Sequence, residues 1–257
     1  MKKIRISHSF ITPFLSLIFI FVFIELSLAI SDEEVRKILG EIKGKPVGER
    51  IAFWAEKFIS APYDEDPQGE YVSKAVIVAD ERVDCMYLTF RAVELALSKT
   101  PEEAIQIALD KRFHSRGILQ EGKVVNYGDR FEYGEDMIAS GKWGREVTGE
   151  IGRTIRVKGT RGRDFCEILP SQEIKQGMKK LKSGDIFFFI TPPEKRKVDE
   201  CVGHIGIIKI EEKSAAQEIY LIHASGLKRK GGSVKIILLQ DYLSKMPFVG
   251  AKISRFD

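Results

Sequence analysis

The spacing of apolar residues changes twice along the chain, and each change marks a boundary. The chain starts with Lys2, Lys3 and Arg5, then runs without charge from Ile6 to Ile24, rich in Phe, Ile and Leu from Phe10 onward. Ser27-Leu28-Ala29 supplies small residues of the kind a signal peptidase reads, so residues 1–29 are expected to be an export signal cleaved after Ala29. The competing expectation is an uncleaved anchor, since 19 uncharged residues approach the ~20 that span a bilayer. Polar Ser7, His8 and Ser9 weaken it, and no Cys follows the apolar run as a lipid-anchored protein would require.

From residue 31 to about 111 the period is helical. Ser31 with Glu34 three positions on forms a capping box. Ile51, Trp54, Ala55 and Phe58 form one apolar stripe, broken by Ser60-Ala61-Pro62-Tyr63 and the loop Asp64–Gly69. A third helix is predicted from Cys85 to Ser98, and a fourth after Thr100-Pro101, with Thr as cap, Pro at the first helical position and Glu103 closing the box. Residues 112–165 predict short strands and loops around Trp143. From Lys182 onward, short β-branched runs alternate with turn signals: Ile186–Ile190, Ile205–Ile210, Ile219–Ile222, Val234–Leu239 and Val249–Ile253. Helices first and strands afterwards argue for an α+β fold and against βαβ alternation, with residues 30–257 as one domain.

Composition then narrows the function. At 44% hydrophobic, the chain can build a real core. Losing residues 1–29 removes three bases and one acid, so the formal charge falls from +4 to about +2. The basic stretches Lys228-Arg229-Lys230 and 153–163 lack interleaved aromatics; they read as solvated loops, and no nucleic-acid partner is expected. Three cysteines is an odd number for an exported protein and flags one reactive thiol; Cys166 and Cys201 could form a disulfide.

The chemistry-bearing residues converge. Asp84-Cys85 lies at a loop-to-helix junction, where free backbone N–H groups and the positive helix end favour a thiolate. His204 and His223 flank a predicted hairpin with a turn near Lys213–Ala216. If 210 opposes 217, then 204 opposes 223, with Cβ atoms ~4.5–5.5 Å apart on one face. A base oriented by a third polar group is what a thiol nucleophile requires. A zinc site from Cys201-x-x-His204, His223 and Cys166 has only one close ligand pair where structural sites carry two, so neither metal nor cofactor is expected.

These residues, with Ala61-Pro62-Tyr63, Leu181-Lys182-Ser183-Gly184-Asp185-Ile186, Gly203-His204-Ile205-Gly206-Ile207 and Ile222-His223-Ala224-Ser225, resemble the NlpC/P60 superfamily of cell-wall cysteine hydrolases. The likeness is greatest to its DUF1460 branch of N-acetylmuramoyl-L-alanine amidase-like proteins. The long gap from Tyr63 to Asp84, the Arg130-x-x-Tyr133 segment and the ending Val249-Gly250-Ala251 support that branch. The resemblance implies a papain-like fold, N-terminal helices packed on a C-terminal antiparallel sheet. It implies Cys85 as nucleophile, His204 as base and His223 as its orienter. It also implies Tyr63 and Asp84, with Arg130 and Tyr133, at the oxyanion and substrate positions. The Cys85 N–H with the Tyr63 hydroxyl would hold the oxyanion, one such donor being worth ~3–4 kcal/mol.

Three departures from the pattern stand out. The stretch Met86–Phe90 is longer than the branch's Thr-Phe continuation; Glu132 and Met137 stand where it has His and Trp; and Met86 replaces the Ser of many endopeptidases. The expectation is a monomeric, exported cysteine amidase of the cell envelope acting on peptidoglycan or muropeptides, touching membrane only through an uncleaved N-terminal segment. The alternatives are a D-glutamyl–diamino acid endopeptidase, a non-catalytic envelope-binding protein, and an acyltransferase on the same fold.

Overall fold

In the computed structural model, residues 30–213 and 216–257 are described; the expected export signal lies outside them. Among the described residues no helix is long and apolar enough to cross a membrane.

Helix starts follow the capping chemistry of the sequence. The Ser31 side chain accepts from Glu34 N at 3.2 Å and opens Asp32–Ile42. Thr100 accepts from Glu103 N at 3.2 Å and opens Pro101–Lys111, while the Glu103 carboxylate reaches back to Lys99 N. Val47–Lys57 buries Ile51, Trp54 and Ala55. Cys85–Leu97 differs from these because every residue from Tyr87 to Ala96 is buried, the mark of a helix enclosed on all sides.

Two charged residues are caught in that enclosure, and both are paired. Arg91 donates to both oxygens of Asp80 at 2.7 and 2.9 Å, and Arg112 to both oxygens of Glu94 at 2.6 and 2.7 Å. The Tyr87 hydroxyl donates to Asp80, and the Arg112 guanidinium lies 5.0 Å from the Tyr87 ring centre and 5.2 Å from that of Phe90. Forked pairing satisfies buried charges that would otherwise be expensive.

The main sheet has eight strands and is antiparallel throughout. Its order is Ile155–Lys158, Phe165–Pro170, Gly250–Arg255, Ile186–Ile190, Val202–Lys213, Ala216–Leu227, Gly231–Leu238, with Arg145–Glu146 added beside Gly250–Arg255. The helix-then-strand order thus yields the expected helix and antiparallel-sheet fold, and the short strands expected without bounds in residues 112–165 include Arg145–Glu146 and Ile155–Lys158, with Phe165–Pro170 starting at its end.

Both faces of the sheet are covered, which the sequence did not anticipate. Ile186, Phe188, Ile205, Ile207 and Ile222 join the core shared with the Val47–Lys57 and Cys85–Leu97 helices. Phe187, Phe189, Ile208 and Leu221 face the other way, against Leu239 and Leu243 of the Leu239–Lys245 helix. Two-sided burial explains why Ile186–Ile190 is an unbroken apolar run and why all five of its residues are buried.

The hairpin register differs from expectation by two residues. Ile207 pairs with Ile222 and Lys213 with Ala216, so the index sum is 429 where 427 was expected. Extending it puts His204 opposite Ser225 and one diagonal step from His223. A shift of two preserves the side-chain face, so both histidines still point to the same side. Gly184 (φ +85°) is where the loop before Ile186 meets the Gly48 backbone, which any Cβ there would overlap. The Asp185 carboxylate fixes this corner, accepting from Lys182 N and from Arg255 Nε and Nη2.

Candidate active site

The position of Cys85 is set by its neighbour. Asp84 caps Cys85–Leu97, one carboxylate oxygen accepting from Tyr87 N at 2.9 Å and the other from Lys228 Nζ at 3.0 Å. Cys85 is therefore the first helical residue, half-buried, with its thiol facing its own backbone N–H and that of Ile205. Burial pushes the thiol up to about 12, with the Asp84 charge pushing the same way, against the pull of the two N–H groups and Lys228. The helix start thus does not produce the thiolate expected from the sequence, because desolvation outweighs it.

The histidines make a direct pair. His204 Nε2 and His223 Nδ1 lie 2.8 Å apart with their rings near perpendicular, leaving His204 Nδ1 free of that contact. Among the described residues no hydrogen bond joins the Cys85 sulfur to either imidazole; the thiol meets the strand at Ile205, next to His204. His204 is walled by aromatics, with Phe248 stacked at 6.2 Å and 5°, Phe189 at 6.1 Å and 22°, and Tyr242 at 6.4 Å. Burial lowers His204 to about 3, helped by the His223 charge; burial, then Lys235, lowers His223 to about 4. The strand's entry is anchored by the Glu135 carboxylate, which accepts from Cys201 N at 3.1 Å and Val202 N at 3.4 Å.

These shifts fix a sign for pH. The folded histidines resist protons that an unfolded chain accepts near 6.5, so folding stability is lost as pH falls from about 6.5 toward 4. We expect the thermal midpoint to drop over that window and His223→Gln to flatten the drop; a midpoint independent of pH between 7 and 4 would contradict the burial of neutral imidazoles.

Tyr63 is held from three sides. Its N–H donates to Gly232 O at 2.9 Å, it bridges to Val83, and its ring rests against Gly226, where a Cβ would overlap it. Lys228 Nζ sits 5.6 Å from the ring centre. Burial raises the phenol first, and the charges of Cys85 and Asp84 raise it further. Tyr63, Asp84, Cys85, His204 and His223 therefore share one neighbourhood. Arg130 and Tyr133 do not touch it. Arg130 bonds Tyr127 O and Glu132, and Tyr133 lies beneath the Arg161 guanidinium at 4.1 Å. Gly203 makes room for the Thr191 and Phe248 side chains, and Gly206 for the Leu221 side chain and the Ile222 backbone. Cys166 and Cys201, which the sequence allowed as a disulfide, are free, buried thiols, with Thr160 Oγ1 3.1 Å from the Cys201 sulfur.

Two residues at the site went unnoticed in the sequence. Tyr242 stands 5.0 Å from the His223 ring and close enough to Cys85 for that charge to raise its phenol, after burial. The spacing Leu239, Tyr242, Leu243 is a helical i, i+3, i+4 signal, obscured by ending the preceding strand at Leu239. Lys228 was absorbed into a basic run that read as solvated loop. A cleft of about 850 Å³ lined by Val47, Phe53, Lys182, Lys209 and Phe256 contains none of Cys85, His204 and His223.

The sequence matches no protein-family model and no curated protein. Solved structures do match. An N-acetylmuramoyl-L-alanine amidase from Bacteroides uniformis superposes with a TM-score of 0.60 at 19% identity, over 82% of this chain and 99% of that one. A Legionella pneumophila protein described by the DUF1460 family superposes at 0.64 with 14% identity, over 88% and 95%. A Bacteroides fragilis protein provisionally described as a xylanase superposes at 0.58 with 17% identity, over 80% and 100%. The chain shares their fold. At these identities the likeness extends to architecture and not to activity.

Proposed function

We propose that the chain is an exported, papain-like cysteine amidase of the NlpC/P60 type that hydrolyses the N-acetylmuramoyl–L-alanine amide of peptidoglycan, or a neighbouring stem-peptide amide. The observation that carries this reading is the His204–His223 pair at 2.8 Å on the strand whose next residue, Ile205, faces the Cys85 thiol. The amidase and DUF1460 descriptions of proteins sharing the fold support the substrate class.

With a neutral thiol and a neutral imidazole at rest, the proton leaves sulfur as sulfur attacks. His204, through the ring nitrogen not bonded to His223, takes the Cys85 proton while the sulfur adds to the amide carbonyl carbon. His223 holds the His204 ring and shares its developing charge. The Cys85 N–H and the Tyr63 hydroxyl donate to the carbonyl oxygen as it gains charge. Collapse breaks the C–N bond, His204 returns its proton to the leaving amine, and water then hydrolyses the thioester. The aromatic wall keeps bulk water from the imidazole.

The test is product analysis by mass spectrometry after incubating residues 30–257 with muropeptides. Release of an intact stem peptide is expected. Cleavage inside the stem would keep the thiol chemistry and move the scissile bond to the endopeptidase position. Release of sugars from xylan, unaffected by loss of Cys85, would overturn the reading.

A further inference from the structure

Lys228 lies five residues beyond His223, where the histidine strand has just ended, and its ammonium reaches across to the residue before the nucleophile. Its Nζ donates to Asp84 Oδ2 at 3.0 Å while Asp84 Oδ1 accepts from Tyr87 N at 2.9 Å. One carboxylate thus ties the start of the Cys85–Leu97 helix to the segment that follows the Ala216–Leu227 strand. The same ammonium lies over the Tyr63 ring. Both members are mostly shielded, with side-chain exposure of 32% for Lys228 and 13% for Asp84, so the pair is less screened than a surface ion pair.

We propose that Lys228 is a positioning residue for the nucleophile: paired with Asp84, it holds the cap of the Cys85 helix against the histidine strand and offsets the carboxylate charge that would otherwise oppose thiolate formation. The inference rests on Cys85 being the nucleophile.

Asp84 is the residue before Cys85, and helix capping requires an oxygen acceptor there. A carboxylate supplies the acceptor but also a negative charge beside a sulfur that must become negative. Asn would cap nearly as well without the charge. Asp84 instead has the Lys228 ammonium seated on it. The other groups around the sulfur add little compensation. His204 and His223 rest neutral, and Tyr63 and Tyr242 are held as phenols. Asp64 and Asp66 lie within reach of the Lys228 charge but are engaged with the backbone N–H groups of residues 66 and 70, and of 68 and 69. Among the described residues, Lys228 is thus the cation placed to act on Cys85.

The experiment is the rate of Cys85 alkylation by iodoacetamide at fixed pH between 7 and 9, followed by mass spectrometry of the full mature chain. Below its pKa the rate tracks the thiolate fraction, so a one-unit shift reads as about tenfold. Lys228→Met is expected to slow labelling by about tenfold, and Lys228→Arg to restore most of it. Asp84→Asn is expected to change the rate in the opposite sense, and the Asp84→Asn, Lys228→Met double variant to fall near the parent. A purely structural role would slow labelling in both single variants and would not produce the opposite signs. Equal rates in parent and Lys228→Met would overturn the proposal while leaving Cys85 as nucleophile. Muropeptide hydrolysis by the parent that survives Cys85→Ala unchanged would overturn the nucleophile reading itself, and this inference with it.

Discussion

Cys85→Ala is expected to lower muropeptide hydrolysis by at least about 10⁴-fold, with no comparable loss of folding. Removing the attacking atom removes the covalent route, and residual turnover then comes only from binding and from the Cys85 N–H and Tyr63 hydroxyl. His204→Ala should cost nearly as much, because without the base the thiol keeps its proton at neutral pH, its pKa being pushed up to about 12. The two losses should not add: the double variant is expected to match Cys85→Ala within a few fold, as residues acting in one step do. His223→Ala should cost less than either, since it orients the base and exchanges no proton with substrate. Steady-state rates on a defined muropeptide, with circular dichroism to certify folding, check all four. If Cys85→Ala retains a tenth of the parent rate, the thiol mechanism is wrong.

The largest expected loss of stability lies beneath the Cys85–Leu97 helix. Glu94 is fully buried and accepts two bonds from Arg112, itself buried against Tyr87 and Phe90. Glu94→Ala would leave a guanidinium without its counter-charge in a region closed to water, where Arg112 Nη1 already has no partner among the described residues. Breaking such a pair costs about 3–5 kcal/mol, or roughly 6–20 °C of thermal midpoint for a chain of this size. Replacing both partners, as Glu94→Leu with Arg112→Met, should recover much of the loss, because the penalty comes from the stranded charge. Thermal melts decide it; a shift under about 2 °C for Glu94→Ala would mean that water reaches the site.

What could be read in advance follows from the range of each signal. Helix starts at Ser31, Asp84 and Thr100 were legible because capping is a three-residue interaction, and the Cys85, His204 and His223 neighbourhood emerged from parity that survives a two-residue slip. The second covered face was not legible. Its partners for Phe187 and Phe189 come from Leu239, Tyr242 and Phe248, about fifty residues later, where no local spacing points back to the sheet. Lys228 was hidden for a related reason: a basic residue in a basic run looks solvated until the fold brings Asp84 to it. Arg130 and Tyr133, carried over from a family pattern, lie on the segment leading to the Gly134–Ala139 helix, whose Glu135 braces the histidine strand from outside the triad.

A thiol that burial keeps protonated, as at Cys85, is also a poor target for peroxides and for simple electrophiles, since both react with the anion. Under oxidising conditions such a thiol would persist where a thiolate would be lost to sulfenic acid. Inhibitors that capture sulfur only after the imidazole has accepted its proton, such as aldehydes and nitriles shaped like the scissile amide, should therefore outperform haloacetamides of equal size, a selectivity set by how dry the first turn of one helix is.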